Sequence, residues 1–176
     1  MRKKEINCPI FEQANKNPFQ IAITDEKLYI TYQQLHKKIE QTVENLKIQL
    51  PENQLIAISV TNPLSQIIIF WSLLRLNKSI FILNPKFPEK KLNTIINQQK
   101  IATIITDLEN PFKIIKIDTK SLKKKIKGAQ KNKLIDIKNA ETLILTSGST
   151  GKAKAVIHNY LQHYESSLAS NEIIKI

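Results

Sequence analysis

A regular alternation of short apolar runs and amphipathic stretches in the middle of the chain constrains the fold more than any other feature. Apolar runs at Leu55–Val60, Ile80–Leu83 and Ala102–Thr106 have the length of buried strands. The stretches between them carry apolar residues at helical spacing, and Pro63 and Pro88 stand at their starts, where a missing N–H is not needed. Such an alternation over about fifty residues requires parallel pairing with right-handed crossovers. The sequence therefore predicts an α/β fold with a doubly wound, largely parallel sheet and flanking helices.

Local signals extend this prediction on both sides. Thr31 followed by Gln34 is a capping-box pattern, which marks the start of a helix. Lysine-rich residues 123–125 and 128–133 indicate an exposed loop. We further expect a leading helix over Met1–Asn17, a hairpin of Ile21–Thr24 with Leu28–Ile30, a helix from Thr31 to about Ile48, strands over Phe112–Ile117 and Thr142–Thr146, and a helix over His163–Asn171.

The net charge of +12 raises the question of nucleic-acid binding. Of the 27 basic residues only Arg2 and Arg75 are arginine, and arginine is the better bidentate partner for phosphates and base edges. Abundant lysine, isoleucine and asparagine with only three glycines fit an A+T-rich genome, such as that of an organelle or a reduced bacterium. We interpret the charge as solvated surface and expect no nucleic-acid partner; a basic nucleic-acid-binding module remains a minor alternative.

The sequence also predicts where in the cell the protein is located. No apolar run approaches the about 20 residues that a membrane-spanning helix needs, and no apolar signal core follows the basic N-terminus. Cys8 is the single cysteine, which excludes an intrachain disulfide. These features predict a cytoplasmic protein, or one of the plastid stroma if an organelle genome encodes it.

The segment from Thr146 to Val156, T-S-G-S-T-G-K-A-K-A-V, has the clearest chemical meaning. Two of the chain's three glycines, Gly148 and Gly151, fall in it, which indicates a backbone that needs positive φ or close approach of a ligand. Consecutive backbone N–H groups in such a turn form a concave nest for anions, and the hydroxyls, Lys152 and Lys154 add donors and positive charge. The segment follows a strand, where α/β folds carry their ligand loops. It therefore predicts a cradle for the phosphates of a nucleotide.

Two better-known phosphate motifs do not fit this segment. A Walker A loop requires a glycine, four residues and then Gly-Lys-Ser/Thr, but Gly151-Lys152 is followed by Ala153. The dinucleotide fingerprint requires three glycines at fixed spacing. The remaining alternative on composition alone is a serine- and glycine-rich surface turn.

The segment resembles the phosphate-loop signature of the adenylate-forming superfamily, which includes acyl-CoA synthetases, luciferases and peptide-synthetase adenylation domains. The family pattern is two hydroxyl residues, Gly, two hydroxyl residues, Gly, any residue, Pro, Lys, Gly, Val. Thr146–Gly151, Lys154 and Val156 match it, whereas Ala153 stands in place of the usual proline and Ala155 in place of the usual glycine. These two departures affect the far end of the loop and leave its anion-binding half unchanged.

Other segments resemble the same superfamily in order and spacing. They are Leu28–Leu35, Leu55–Val60 followed by Asn62, and the turn Asn84–Pro88. That turn, His158-Asn159 and the helix from His163 to Asn171 are most similar to the acid–CoA ligases of menaquinone and phylloquinone synthesis. For His158 and His163 a structural role at a helix start or helix surface is the favoured interpretation over substrate contact.

The resemblance implies a reaction in two steps. A carboxylate attacks the α-phosphate of ATP to give acyl-AMP and pyrophosphate, and the thiol of coenzyme A then displaces AMP, with Mg²⁺ bridging phosphates. Ser147, Ser149 and Thr150 would donate hydrogen bonds to phosphates, and Lys154 would neutralise β- and γ-phosphate charge. The implied cofactor-binding residues are Thr146, Ser147, Gly148, Ser149, Thr150, Gly151 and Lys154. No metal-ligating or catalytic residue is assigned.

The resemblance covers residues 1–176 as the first portion of the superfamily's large domain. We expect the adenine-binding segment, the magnesium-binding acid, the ribose-binding aspartate and the small C-terminal domain to be absent, so that this chain alone does not form acyl-AMP. The alternatives are another acyl-CoA synthetase or adenylation domain and an inactive nucleotide-binding remnant. The oligomeric state is not predicted.

Overall fold

The computed structural model describes residues 5–25, 27–52, 55–109, 115–123, 134–146 and 154–174. In these ranges ten strands, five α-helices and a short 3₁₀-helix at Ser121–Lys123 alternate along the chain. In order, the strands and α-helices are β1 (Glu5–Asn7), α1 (Pro9–Lys16), β2 (Ile21–Thr24), β3 (Tyr29–Thr31), α2 (Tyr32–Gln49), β4 (Leu55–Ser59), α3 (Pro63–Arg75), β5 (Ser79–Ile82), α4 (Glu89–Gln98), β6 (Thr103–Thr106), β7 (Ile115–Asp118), β8 (Leu134–Asp136), β9 (Glu141–Thr146), β10 (Lys154–Asn159) and α5 (Tyr160–Ile174).

The main sheet has six strands in the order β10-β9-β5-β4-β6-β7. The four pairings from β9 to β7 are parallel, and only β10 runs antiparallel, against β9. Ile56 of β4 pairs with Ile80 of β5 on one side and with Thr103 of β6 on the other, so β4 lies at the centre. The predicted doubly wound, largely parallel sheet is confirmed.

Two helices cover opposite faces of this sheet. Because successive side chains of a strand point to opposite faces, β4 contributes Ile56 and Ile58 to one core cluster and Ala57 to another. The first cluster is completed by α3, through residues such as Leu73, and the second by α4, through residues such as Leu92. Apolar strands can therefore be buried on both sides, as their continuous hydrophobic sequences require.

Helix α2 packs on the outer side of α3 and forms a further layer. Its Leu35, Ile39 and Val43 are buried with Ile30 in a third core cluster, against which Ile68 of α3 packs. The Thr31 hydroxyl accepts a hydrogen bond from the Gln34 backbone, and the Gln34 side chain accepts one from the Thr31 backbone. The predicted capping box is thus present, and the predicted hairpin before it is formed by β2 and β3.

The prediction for the N-terminus is partly wrong. In place of one helix over Met1–Asn17, the described residues form strand β1 and then α1, which begins at Pro9. Strand β1 pairs with β8, for example Ile6 with Ile135. A proline at the first helical position fits a helix start there, and pairing with a strand distant in the sequence overrides any local helical tendency before it.

No helix within the described ranges is both long and apolar enough to cross a membrane.

Candidate functional site

The strands of the main sheet define one edge where loops can form a site. Because β9, β5, β4, β6 and β7 run in the same direction, their carboxyl ends meet at the same edge. The chain leaves β4 toward α3 on one face and leaves β5 toward α4 on the other. Such a change of direction between adjacent strands opens a crevice at their carboxyl ends, which is where open α/β sheets bind ligands.

The wall of this crevice after β4 is fixed by two hydrogen-bonded side chains. The Asn62 side-chain oxygen accepts a hydrogen bond from the Ser65 backbone N–H at 2.8 Å and so caps α3. Thr61 donates its backbone N–H to both carboxylate oxygens of Asp107 at 3.0 Å and its hydroxyl to one of them at 2.6 Å. Asp107 follows β6, so this contact ties the loops after two neighbouring strands together.

The Asp107 carboxylate is held in its charged form. Partial burial raises its pKa, but hydrogen bonds from the Thr61 hydroxyl and from backbone N–H groups lower it more, so the net pKa lies below the usual aspartate value. With both oxygens already accepting from Thr61, Asp107 serves to hold the loop in position.

The other wall, after β5, is a compact turn. The Leu83 backbone N–H donates to the Ile58 carbonyl at 2.9 Å, which extends the pairing of β5 with β4 beyond the strand itself. The Asn84 side chain accepts the Lys86 backbone N–H at 2.9 Å, and the Asn84 carbonyl accepts the Phe87 N–H at 3.1 Å. The Lys91 ammonium lies 3.9 Å from the centre of the Phe87 ring. This turn therefore has a defined shape at the crevice.

The predicted phosphate loop begins beside this crevice. Strand β9 is the neighbour of β5, and adjacent strands lie about 4.8 Å apart, so β9 and β4 are separated by about 10 Å across the sheet. Thr146 at the end of β9 pairs directly with Lys154 at the start of β10. The structure thus brings the backbones of these two predicted site residues together at the carboxyl edge. The other five, Ser147, Gly148, Ser149, Thr150 and Gly151, lie outside the described residues, as do the side chains of Thr146 and Lys154.

The two histidines after the loop lie near the opposite end of the β9–β10 hairpin. His158 pairs with Thr142 near the amino end of β9, and His163 lies in the first turns of α5, with its ring centre 5.3 Å from that of His158. The His163 imidazole contacts the Thr142 hydroxyl. Partial burial and the neighbouring His158 lower the pKa of His163, so its ring is neutral near pH 7. Thr142 lies four positions before Thr146 along β9, about 13 Å at strand spacing, which keeps both histidines away from the predicted loop.

Two clefts of about 440 Å³ are formed by other described residues. One is formed by β3, the start of α2 and Leu64, and the other lies between α3 and α5. Within the described ranges no group of three His, Cys, Asp or Glu side chains is arranged to hold a metal ion.

Sequence reasoning did not find the contact between Thr61 and Asp107. The two residues are 46 positions apart, and neither belongs to a recognisable motif. The signal that could have found it is positional, because each residue follows a predicted strand of a parallel sheet and so must come to the same edge.

Comparison with known proteins adds to this geometry. Residues 10–174 match the model of a family described as AMP-binding enzyme. A 2-succinylbenzoate–CoA ligase from Bacillus cereus is 26% identical over 167 residues, which is 92% of this chain and 34% of the ligase. A mycosubtilin synthase polypeptide from Bacillus subtilis is 27% identical over 172 residues, or 93% of this chain and 7% of that protein. The chain thus spans about a third of the length of the curated ligases it matches.

Solved structures show the same fold. The O-succinylbenzoate coenzyme A synthetase MenE from Bacillus subtilis in complex with AMP superposes with a TM-score of 0.86 at 22% identity, over 98% of this chain and 47% of that one. The same synthetase in complex with ATP and magnesium ion gives a TM-score of 0.82 at 20% identity, over 98% of this chain and 48% of that one. The N-terminal subdomain of Klebsiella oxytoca NpsA gives 0.77 at 18% identity, over 86% of this chain and 40% of that one.

Proposed function

This chain belongs to the AMP-binding enzyme family, and we propose that it forms the N-terminal portion of an ATP-dependent acid–CoA ligase. In the proposed reaction a carboxylic acid is converted to acyl-AMP with release of pyrophosphate, and coenzyme A then displaces AMP. The observation that carries the proposal is the hairpin of β9 and β10, whose paired ends at Thr146 and Lys154 lie beside the crevice between β4 and β5. That is where this class of sheet binds ligands.

The chemistry proposed for the loop is charge stabilisation. Backbone N–H groups and the hydroxyls of Ser147, Ser149 and Thr150 would donate hydrogen bonds to the phosphates, and the Lys154 ammonium would balance the charge that grows on pyrophosphate as it leaves. Mg²⁺ would enter with ATP as part of the substrate. Because Asp107 is engaged by Thr61, we assign it to holding the loop after β4 and not to the metal ion.

For the acid, we propose 2-succinylbenzoate, the substrate class of menaquinone and phylloquinone synthesis. Support comes from the turn Asn84–Pro88 and from the ligase of Bacillus cereus, at 26% identity. Another acyl-CoA synthetase or an adenylation domain is the second candidate, favoured by the similar identity, 27%, to the mycosubtilin synthase polypeptide.

Nucleotide binding tests the proposed loop. We expect the chain to bind a non-hydrolysable Mg–ATP analogue, and Lys154→Gln to weaken that binding about tenfold, since a charge-assisted hydrogen bond contributes about 1.5–3 kcal/mol. Lys16→Gln, which removes an exposed lysine of α1, serves as the matched control and should bind like the parent. Calorimetric titration measures all three, and equal affinity of parent and Lys154→Gln would refute the role of the loop.

Two activity measurements address the reaction and its substrate. We propose that the 176-residue chain alone gives no acid-dependent exchange of pyrophosphate into ATP, and exchange by the purified chain would contradict this. In an enzyme assembled with the C-terminal part of a relative, 2-succinylbenzoate should support exchange and benzoate should not. Equal exchange with both acids would favour the second candidate.

A further inference from the structure

One face of the hairpin formed by β2 and β3 is open to solvent. The two strands form a sheet of their own, and Ile23 and its partner Ile30 pack with α2 in the third core cluster. Because successive side chains of a strand point to opposite faces, Tyr29 points away from α2. Ile21 pairs with Thr31, which lies two positions after Tyr29, and so it shares this outer face.

The outer face of the hairpin carries large apolar side chains. Tyr29 is 64% exposed and Ile21 is 50% exposed. Phe19, two residues before Ile21, is 80% exposed, and the carbonyls on either side of it accept backbone N–H groups from the start of α2. We call Phe19, Ile21 and Tyr29 the hairpin surface. Single exposed apolar residues are common, but a group of three on one small element marks an interaction site.

Lysines border the hairpin surface. Lys37 and Lys38 are exposed on α2 and line a cleft of about 440 Å³ together with Tyr29. Residues 16–38 contain four lysines and two acidic residues, in a chain whose net charge is +12. The carboxylate of Asp25, one of the two acids, accepts hydrogen bonds from backbone N–H groups of the hairpin turn. The hairpin surface therefore has positively charged surroundings.

This combination of side chains matches the chemistry of an anionic membrane surface. Phenylalanine and isoleucine side chains are stabilised among acyl chains, and a tyrosine ring lies at the level of the headgroups with its hydroxyl in water. Lysines beside them are attracted to the phosphates of anionic lipids. An apolar signal and a basic signal together give membrane binding that neither gives alone. A second copy of this chain is disfavoured, because it would bring the same lysines together.

We propose that the hairpin surface, with Lys37 and Lys38, binds the surface of an anionic phospholipid membrane by shallow insertion of its three apolar side chains. Binding of this kind is peripheral and needs no membrane-spanning helix. It is independent of the proposed ligase reaction, because the crevice between β4 and β5 takes no part in it.

Vesicle sedimentation tests the apolar part of this proposal. The purified 176-residue chain is mixed with sucrose-loaded vesicles of phosphatidylglycerol and phosphatidylcholine, or of phosphatidylcholine alone. We expect the parent chain to sediment with the first vesicles and to stay in solution with the second. Phe19→Ser should weaken the partition about tenfold, which is about 1.4 kcal/mol, because it removes an inserted aromatic side chain. Ile48→Ser is the matched control, since Ile48 is 75% exposed at the far end of α2.

Removal of charge tests the basic part. The double variant Lys37→Gln/Lys38→Gln should weaken the partition at least about tenfold at low salt, because each lysine near an anionic surface contributes to the attraction. The difference from the parent should shrink at high salt, which screens exposed charges. Lys90→Gln/Lys100→Gln is the control, because it removes two exposed lysines in and after α4 and gives the same net charge.

Each outcome decides the proposal. Weaker sedimentation of Phe19→Ser and of the Lys37 and Lys38 variant, but not of their controls, supports it, provided circular dichroism shows the variants folded. If Phe19→Ser does not fold, Tyr29→Ser replaces it with the same expected result. A parent chain that stays in solution with the anionic vesicles, equal sedimentation with the neutral ones, or a variant that behaves like its control overturns the proposal. A dimer in ultracentrifugation that Phe19→Ser dissociates also overturns it, in favour of a second copy.

Discussion

The centre of the sheet and its β10 edge each contain a short apolar run, but the two runs have very different surroundings. In β4, Ile56, Ala57 and Ile58 are fully buried, because β5 and β6 flank the strand and α3 and α4 cover its faces. In β10, Val156 and Ile157 remain exposed, since β9 is the one strand with which β10 pairs among the described residues. Strand position and the number of covering layers therefore decide how far these apolar residues are buried.

The pairing that joins the two regions is short. Strands β4 and β5 are paired over four residue pairs, whereas β5 and β9 are paired over two, Ile80 with Thr142 and Phe81 with Leu143. Few shared hydrogen bonds and exposed apolar contacts are typical of segments that open locally at low free energy. The comparison therefore predicts a stable centre and a less stable edge that carries the proposed phosphate loop.

The largest expected effect comes from removing the same side chain in each region. Ile58→Ala should lower the free energy of unfolding by about 4 kcal/mol, because it leaves a cavity in a fully buried site. Ile157→Ala should lower it by less than about 0.5 kcal/mol, because Ile157 is 56% exposed. Urea unfolding followed by circular dichroism measures both. Similar losses from the two variants would contradict a stable centre and a less stable edge.

A second test asks whether the centre depends on apolar packing alone. Arg75 of α3 is fully buried, and its guanidinium donates to His36 Nδ1 at 3.0 Å; His36 Nε2 lies 3.1 Å from a Glu40 carboxylate oxygen. Arg75→Ala should cost about 3 kcal/mol, since it removes one partner from a buried polar network. Arg75→Met fills the space without a charge and should cost less than about 1.5 kcal/mol. Equal losses in chemical unfolding would show that packing volume is irrelevant at this position.

Two asparagine N-caps, one in each region, allow a matched comparison with a smaller expected loss of stability. Asn62 caps α3 beside the central strand, and Asn159 caps α5 after β10 by exchanging hydrogen bonds with Gln162. Asn62→Ala should lower the global free energy of unfolding by about 1 kcal/mol. Asn159→Ala should lower it by less than about 0.5 kcal/mol, because α5 frays locally before the centre unfolds. Thermal unfolding and amide exchange distinguish the two, and an equal global loss would place α5 within the central cooperative unit.

The smallest expected effect concerns pH at the edge. Burial and His158 lower the pKa of His163 in the folded chain, so the unfolded chain binds more protons in the window between the folded and the ordinary histidine pKa. Stability contributed by His163 is therefore complete above the ordinary histidine pKa and declines as the pH falls below it. His158→Asn removes the neighbouring imidazole, and NMR titration should show that the pKa of His163 is higher than in the parent. An unchanged titration would assign the shift to burial alone.

Much of the structure at the centre of the sheet was predictable, because short local sequence patterns mark the ends of its helices and strands. Thr31 and Asn62 mark helix starts within a few residues of the strands they follow, and both caps are present. The pairing of β1 with β8 had no such signal, since its partners lie more than a hundred residues apart and the three residues Glu5–Asn7 are too few to establish an alternation. Strand β10 was missed because Lys154–Val156 were interpreted as part of a phosphate-binding motif and His158-Asn159 as a segment that follows it.

The candidate site likewise has features that the sequence predicts and features that it does not. The edge on which the loop would lie follows from strand direction, which the sequence predicted and the fold confirms. The roles of Ser147, Ser149, Thr150 and Lys154 come from a family motif and stay predictions. The tie between Thr61 and Asp107 depends on two loops meeting in three dimensions, and no local pattern encodes such a meeting.

The central location of β4 has a consequence for how the protein emerges from the ribosome. β4 is the first strand of the main sheet to be synthesised, and both of its neighbours, β5 and β6, follow by Thr106. A nascent chain can therefore assemble the innermost strands with α3 and α4 before β9 and β10 have left the exit tunnel, since domains form from the N-terminal side during translation. The predicted phosphate loop would then be added later, onto a scaffold that is already folded.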